Sequence, residues 1–407
     1  MAALDLAAPD LASANGTRAL PPGFEFRGLP TRVVLRAGAV DDLDAELRAA
    51  GIQKAMLVCG PRTAASSLGA LVRRVRSIVA VVDDVVEHSD CAHVEAVARR
   101  AAEAGIDGLI AVGGGSASDT AKAIAIVLAE GAPLARHANV FTPPDHYVQQ
   151  ALAQPKLPIV VVPTTASAAE VTPGLGVRAA NGRKLLFWDP KLAPRTILLD
   201  PLANVDVPVE VMASTGMNAI AHCIEGLYSR VRNPISDALA LGGLRALQQA
   251  MPAMVRDPSS IAARADVLAG AHLSGMVIAN ARVGIHHGIC HGLGSLGGLP
   301  HGIANAVLLP HAMRFNAAVA GPPLRRAAEA MGVAVADLSD AQAVQRAIDA
   351  VVALQRTLGV PTRLRDTGLD RGLFGALADL AMGDRGLYFN PRRATREDVL
   401  ALLEAAW

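Results

Sequence analysis

The sequence predicts an α/β N-terminal domain with a parallel, doubly wound sheet, followed by an all-α C-terminal domain. Residues 24–200 alternate short β-branched runs with segments of helical periodicity, which implies a parallel sheet covered by helices. After Asp200 strand-like runs nearly vanish, and Ala/Leu-rich helical patterns continue to Trp407. We therefore predict domains over residues 24–200 and 201–407, preceded by a disordered extension over residues 1–23.

The first domain consists of alternating strand and helix segments. The predicted strands are TRVVLRAG, KAMLVCG, IVAVVDD, GLIAVGGG and LPIVVVPTT. The predicted helices between them are AVDDLDAELRAAG, LGALVRRVRS, HVEAVARRAAEAG and SASDTAKAIAIVLAEG. A further hairpin is expected within residues 177–197. In the second domain, helical spacing is clearest over residues 208–230, 234–251 and 261–278.

Composition limits the classes of function. Hydrophobic residues make up 52% of the chain, enough for a large core, and the net charge of +1 gives no electrostatic reason to expect nucleic acid or a membrane as partner. The four cysteines form no CxxC pair, which favours a reducing cytoplasm. The apolar N-terminus carries Asp5 and Asp10 and no basic start, unlike a signal peptide, and we find no uncharged apolar run of about 18 residues. A soluble intracellular globular protein is expected.

A glycine-rich turn joins one predicted strand to the helix that follows it. The strand ends in Gly113, Gly114 and Gly115, and Ser116 follows. Glycines let backbone N–H groups approach a phosphate closely, and a helix N-terminus favours negative charge. Asp119 lies on the same helix and is a further candidate for cofactor contact. The spacing is not GxGxxG, and a plain strand–helix turn is the alternative.

Two hydroxyl residues close the next predicted strand. Thr164 and Thr165 follow the run IVVVP, which places them at the carboxyl edge of the sheet. Ligands of open α/β sheets bind at that edge, and hydroxyls there can bond ribose or phosphate oxygens. The alternative is that they only end the strand.

Histidines concentrate in the helical half. Asn218 and His222 are four residues apart on one predicted helix and share a face. In the segment GIHHGICHGLGSLGGLPH, His287 and His291 have the same spacing, and a glycine-rich loop returns His301. Two helical histidines with one from a loop suit a divalent metal, whereas histidines that only line a helix end are the alternative.

These motifs together resemble the iron-containing alcohol dehydrogenase superfamily, a relative of dehydroquinate synthase. The resemblance covers nearly all of residues 24–407, and its marks are GGGSASDTAK, PTTASAAEVTP, DPLANVDVP, GMNAIAHCIE and HHGICHGLGSLGGLPHGIANAVLLPH. It implies a dehydroquinate synthase-like fold, with a nucleotide-binding α/β domain, a helical domain and an active site in the cleft between them. It also implies a homodimer or larger assembly.

The resemblance also implies a metal site in which one ligand position of this chain differs from the metal-dependent members. Metal-dependent members hold the ion with an Asp and three His; the His positions match His222, His287 and His301, and the second histidine of the HxxxH pair matches His291. Asn218 occupies the Asp position. Without an anionic ligand, hard cations such as Fe²⁺ should bind less well, although three imidazoles could still hold Zn²⁺.

Asn218, with FRGLPTRVVLRAGAV and the closing FNPRRATREDVLALLEAAW, looks most like the maleylacetate reductase branch. That branch reduces the C=C bond of maleylacetate to 3-oxoadipate with NADH or NADPH and needs no metal. The segment PHGIANAVLLPHAMRFN looks more like the metal-dependent alcohol dehydrogenases, so a metal-dependent alcohol or aldehyde oxidoreductase is the first alternative. A dehydroquinate synthase-like lyase or cyclase, or a degenerate binding protein, is the alternative from another class.

The resemblance assigns roles to the remaining candidates. The pyrophosphate is expected at the glycine turn, and Lys184 matches a lysine found near the cofactor in relatives. Many relatives carry an Asp at the end of the first nucleotide-fold strand, where this chain has Gly60 with Arg62 just beyond, so NADPH should be accepted alongside NADH.

For metal-free reduction, the substrate enolate needs hydrogen-bond donors. We expect them from His222, His287 and Asn218, with His291 as proton donor. A dicarboxylate substrate also needs cationic anchors. Arg282 is the first candidate for this role, and the candidates after it are Arg314 and Arg385.

Overall fold

The computed structural model describes residues 23–86, 89–144, 146–180 and 182–407. Apart from Gly23, the extension expected over residues 1–23 lies outside these ranges. The strands are β1 (Arg32–Leu35), β2 (Ala55–Cys59), β3 (Ile78–Val82), β4 (Gly108–Gly113), β5 (Val140–Thr142), β6 (His146–Val148), β7 (Ile159–Pro163), β8 (Gly174–Arg178), β9 (Lys184–Trp188) and β10 (Thr196–Leu199).

The helices alternate with the strands first and then follow one another. They are α1 (Leu43–Ala49), α2 (Pro61–Ala64), α3 (Ser67–Val72), α4 (Cys91–Glu103), α5 (Gly115–Glu130), α6 (Val209–Tyr228), α7 (Pro234–Arg256), α8 (Ile261–Ala281), α9 (Ile285–Ser295), α10 (His301–Asn316), α11 (Gly321–Ala330), α12 (Asp340–Leu358), α13 (Phe374–Met382), α14 (Gly386–Phe389) and α15 (Arg396–Ala406).

Six strands form one parallel sheet in the order β1-β10-β7-β4-β2-β3. Every residue of β2, β4, β7 and β10 is buried, as expected when crossover helices cover both faces of a sheet. Within the described residues the chain after β10 is helical and contains no strand. The predicted fold class is therefore confirmed.

The strand order reverses beside β2. The chain runs from β2 outward to β3, and then returns to β4 on the other side of β2. Such a switch point leaves a crevice at the carboxyl ends of the two strands, where ligands of open α/β sheets bind. Here the crevice lies between Cys59, which ends β2, and Gly113, which ends β4.

Two antiparallel hairpins lie outside the main sheet. The hairpin expected within residues 177–197 begins earlier, at Gly174, and ends at Trp188, because residues 196–199 pair within the large sheet instead. A second hairpin, β5–β6, was not predicted; its strands have three residues each, too short to give a periodic pattern.

Helix α6 is the centre of the C-terminal half. It packs against α7, α8 and α10, and most of its residues are buried. The predicted helix over residues 234–251 continues to Arg256 through Pro252, and Asn233 caps its start. Helix α8 is long and apolar enough to cross a membrane by length and composition, but here it packs along α6 and α7. The boundary predicted near residue 200 falls between β10 and α6.

Candidate active site

The glycine turn leaves the start of α5 open to a ligand. Gly113 has φ 139°, a conformation that side chains rarely adopt, and no side chain caps the helix at Gly114. A Cβ atom on Gly115 would lie 3.2 Å from the Ser167 hydroxyl oxygen. The bare backbone N–H groups at this helix N-terminus therefore fit a pyrophosphate.

The neighbouring polar groups are placed for the same ligand. Thr164 is buried and its N–H donates to the Gly113 carbonyl (2.9 Å), while the buried Thr165 hydroxyl has no hydrogen-bond partner. Buried polar groups are rarely left unpaired, so the Thr165 hydroxyl is available to hydrogen-bond a bound ligand. Gly60 precedes α2 on the other side of the crevice, and Arg62 is exposed on α2.

Two charged residues of α5 bind the backbone of the segment that runs from the loop after β7 into β8. Lys122 is fully buried and donates to the carbonyls of Ala169, Thr172 and Gly174 at 2.6 to 3.1 Å. Burial lowers the pKa of Lys122 to about 8. Asp119 accepts a hydrogen bond from the Gly176 N–H (3.1 Å), so its carboxylate is engaged with the β8–β9 hairpin.

The loop after β7 connects the glycine turn to the helical half. Ser167, which borders Gly115, accepts a hydrogen bond at its carbonyl from Asn218 Nδ2 (3.1 Å). The Ala166 N–H donates to the Thr215 hydroxyl (3.1 Å). The candidate phosphate site and the candidate catalytic residues thus share one wall of the cleft.

Four of the predicted histidines lie together opposite that loop. The His222 and His287 rings stack with centroids 4.9 Å apart, and His301 lies 5.5 Å from His287. His291 is stacked on His301 at 5.9 Å. Asn218 joins the group, because its Oδ1 lies 3.1 Å from His287 Nε2. The structure thus brings together Asn218 and His222 of α6 with His287 and His291 of α9, and each pair shares a helix face as its spacing predicts.

The tautomer of His222 follows from its surroundings. The Ser274 hydroxyl donates to the Ala271 carbonyl (2.7 Å), so its oxygen accepts from His222 Nδ1 (3.3 Å). Burial holds the pKa of His222 well below its usual value, so the ring is neutral and its Nε2 carries a lone pair. This argues against His222 as a donor to an enolate, contrary to our prediction, and makes it an acceptor or a metal ligand.

Glu225, which the sequence analysis missed, lies behind His287. Its carboxylate accepts from His287 Nδ1 and from the Gly284 N–H (2.8 Å), and it lies 3.4 Å from His286 Nδ1. Burial alone would raise the pKa of Glu225, but His287 and His286 lower it below its usual range, so the carboxylate is an anion. Its spacing from Asn218 and His222 on α6 was the available signal, because positions i, i+4 and i+7 share a face.

His291 has a different carboxylate partner. Asp384 accepts from His291 Nδ1 (2.7 Å) and from the Gly386 N–H (2.7 Å). Burial lowers the pKa of His291. The negative charge of Asp384 partly opposes this lowering, and the positive charge of Lys184 adds to it. Asp384 is 93 residues from His291 in the chain, and no local pattern marks it.

A cavity of about 300 Å³ opens beside this pair. His291, Asp384 and Arg385 line it from the helical half, and Lys184 and Tyr147 line it from the two hairpins. The predicted residues Lys184 and His291 therefore face one cavity.

Arg282 and Arg385 lie near this cavity, whereas Arg314 does not. Arg282 follows α8, with its Cζ atom 3.6 Å from the Trp188 ring centroid, and Arg385 approaches the same ring at 5.6 Å. Burial lowers the pKa of Arg282 to about 9, and the nearby Arg385 charge adds to the shift. Arg314 is exposed near the end of α10 and lines a separate surface groove with Pro322.

The donor atoms of this group decide which metal ion it could hold. The rings of His222, His287 and His301 lie close together with the Asn218 oxygen, and this set includes no anion, which suits Zn²⁺ better than Fe²⁺. Among the described residues, the His and carboxylate atoms that converge most tightly are those of Glu225, His286 and His287, a set that differs from the predicted one. These three groups lie at hydrogen-bonding range of one another.

Comparison with known proteins gives a consistent family. Residues 30–201 match the model described as iron-containing alcohol dehydrogenase, and residues 212–407 match the C-terminal model of the Fe-containing alcohol dehydrogenase family. Maleylacetate reductase 2 of Cupriavidus pinatubonensis is 35% identical over 383 residues, covering 93% of this chain and 95% of that protein. Lactaldehyde reductase of Escherichia coli is 34% identical over 378 residues, covering 91% and 96%.

The solved structure of a 1,3-propanediol oxidoreductase superposes with a TM-score of 0.88 at 29% identity. The match covers 95% of this chain and all of the other.

Proposed function

The chain belongs to the iron-containing alcohol dehydrogenase family, and we propose that within it the protein is an NAD(P)H-dependent reductase of an activated C=C bond, in maleylacetate or a related unsaturated oxo-acid. One observation carries the metal-free form of this proposal. The uncharged amide of Asn218 lies 3.1 Å from His287 Nε2, at the position where metal-dependent members carry an Asp ligand. Without that anion the site should hold a hard divalent cation less firmly.

The residues of the cleft support each requirement of such a reduction. When bound, the dinucleotide supplies the hydride. The substrate ketone oxygen becomes an enolate, which the second N–H of the Asn218 amide can bind, since the first donates to the Ser167 carbonyl. Burial lowers the pKa of His287 to about 4, so the neutral ring donates from Nδ1 to the Glu225 anion and its Nε2 carries a lone pair, contrary to the donor role predicted for His287.

His291 is the proposed proton donor. Asp384 binds Nδ1, which leaves Nε2 as the nitrogen that delivers a proton to the substrate carbon. Transfer of that proton to the carbon next to the ketone completes the reduction, and the charge of Asp384 favours reprotonation of the ring.

A second candidate function is supported by His222. Its Nε2 lone pair, and a carboxylate bound to Nδ1 of His287, are features of histidines that bind metal ions. In a metal-dependent alcohol or aldehyde oxidoreductase, His222, His287 and His301 would hold the ion. A bound ion would supply polarisation of the substrate carbonyl.

The two candidates predict different assay results. Purified protein would be analysed for metal content and assayed by NADPH and NADH oxidation with maleylacetate and with lactaldehyde, with and without chelator. Metal-free protein that reduces maleylacetate at a chelator-independent rate supports the first candidate. Stoichiometric metal and activity lost to chelator would establish the second.

Cofactor choice and assembly belong to the same proposal. Gly60 leaves no carboxylate to repel a 2′-phosphate, and Arg62 on α2 is exposed nearby, so we propose that both NADH and NADPH are used. A kcat/KM for NADPH far below that for NADH would contradict this. We also propose that the protein is cytoplasmic and forms a homodimer. Light scattering, which measures the molar mass of the assembly, tests the dimer.

A further inference from the structure

Two guanidinium groups meet on one indole ring at the domain cleft. Trp188 ends β9 and is buried, with Arg282 Cζ 3.6 Å and Arg385 Cζ 5.6 Å from its ring centroid. Tyr147 of the β5–β6 hairpin accepts a hydrogen bond from Arg385 (3.4 Å). Residues from both halves of the molecule and both hairpins therefore build this cluster.

Within the part of the chain that the structure describes, the cluster has positive charge and no counterion. Among the described residues, no acidic side chain lies within 4.0 Å of the guanidinium nitrogens of Arg282 or Arg385. Arg282 Nη1 is buried and has no hydrogen-bond partner. A buried cationic donor without a partner is costly, so its retention indicates an anion that binds there.

The backbone of Arg282 adds an independent observation. Its φ of 65° lies in the left-handed region, which a residue with a Cβ atom enters only at a cost. This conformation ends α8 and directs the following residues into α9, which carries His287 and His291. The same turn thus sets the Arg282 side chain and the start of the catalytic helix.

We propose that Arg282 and Arg385, supported by Trp188, bind the substrate carboxylate that lies farthest from the reacting double bond. This inference rests on the proposed function, because an unsaturated oxo-acid with a second carboxylate supplies the anion. Arg385 lines the same cavity as His291 and follows Asp384 directly, so one extended substrate can contact both the clamp and the proton donor. The guanidinium pair would then select dicarboxylates over neutral aldehydes.

Trp188 provides a binding signal that needs no turnover. The chain has two tryptophans, and the other, Trp407, packs on Phe374 with centroids 5.6 Å apart. In a Trp407→Phe background, fluorescence therefore reports Trp188 alone. Adipate, an unreactive dicarboxylate, would be titrated against this protein and compared with its neutral isostere adipamide.

We expect saturable fluorescence change with adipate and none with adipamide at the same concentrations. Arg282→Met and Arg385→Gln, each in that background, should weaken adipate binding by about 10–100-fold, the usual loss for a charge-assisted hydrogen bond. Arg314→Gln is the matched control, because Arg314 is exposed and lines a different groove, and it should leave the affinity unchanged. Equal adipate affinity in the two clamp variants and the parent would overturn the clamp.

Further outcomes distinguish a folding defect from loss of the clamp, and failure of the clamp from failure of the proposed reaction. If Arg282→Met fails to melt cooperatively, Arg385→Gln decides the matter, since Arg385 has ordinary backbone geometry and no buried unpaired atom. If adipate binding depends on both arginines but no unsaturated oxo-acid is reduced, the clamp stands and the proposed reaction is wrong. If maleylacetate is reduced with unchanged KM in both variants, the reaction stands and the clamp is wrong.

Discussion

Helix α9 carries two histidines one turn apart, each paired with a carboxylate from another segment, and the surroundings of the two pairs differ. His287 and Glu225 have side chains 3% and 0% exposed, whereas His291 and Asp384 are 13% and 10% exposed and line a cavity. The first pair is enclosed by Asn218 and His222. The pairs share the same chemistry at Nδ1, but only the second is open to a substrate.

This difference separates two roles that a His–carboxylate pair can perform. An enclosed pair keeps its charge balance and presents a fixed dipole, which suits electrostatic stabilisation. An accessible pair can exchange protons, which suits general acid catalysis. Each of the following experiments changes one pair and leaves the other in place.

The largest expected effect is from His291→Ala. If the accessible pair donates the proton, kcat should fall about 10²–10⁴-fold, the usual contribution of a general acid. Steady-state NAD(P)H oxidation measures it. His137→Ala is the control, because His137 bonds the Gly131 carbonyl in the turn after α5. An unchanged kcat in His291→Ala would remove the distinction between the pairs.

Glu225→Gln should mainly affect stability. Removing one charge from a buried, paired cluster costs about 3–5 kcal/mol of unfolding free energy. Because the pKa of Glu225 is lowered in the folded state, its contribution is present above the usual Glu pKa and lost as pH falls below it. Urea denaturation should therefore show a loss at pH 7 that shrinks below about pH 4.3. Glu404→Gln, which loses only an exposed ion pair with Arg371, should change little.

Asn218→Asp should convert the enclosed pair into a stronger metal site. The new carboxylate adds the missing anion beside His222, His287 and His301, so Zn²⁺ affinity should rise by at least about tenfold. Calorimetric titration of the chelator-treated protein measures it. Asn280→Asp, near the end of α8, is the control. Equal Zn²⁺ affinity in Asn218→Asp and the parent protein would show that residue 218 does not contact the ion.

The smallest expected effect is from Asp384→Asn. Asp384 raises the pKa of His291 against the effect of burial, so its neutralisation should lower that pKa further. A general acid must be protonated, and the alkaline limb of kcat/KM should therefore move to lower pH by about one unit. At neutral pH the rate should fall about tenfold. An unshifted limb would show that Asp384 does not tune His291.

The sequence could predict the sheet and the helix faces, because both follow from periodicity. Helical spacing alone is enough to pair Asn218 with His222 and His287 with His291. It could not supply Asp384, which reaches His291 only through tertiary packing, nor the tautomer of His222, which Ser274 determines. Glu225 could have been found from its position on α6, but a buried carboxylate behind a histidine has no sequence pattern of its own.

Ser167 has a consequence for the geometry of reaction. Its side chain borders the glycine turn at Gly115, and its carbonyl binds Asn218. Ser167 therefore connects the proposed cofactor-binding turn with the proposed catalytic residues. If the two halves move apart to admit substrate, the hydrogen bond between Asn218 and the Ser167 carbonyl either breaks or pulls the glycine turn along. Opening of the cleft would then be coupled to the position of the cofactor that delivers the hydride.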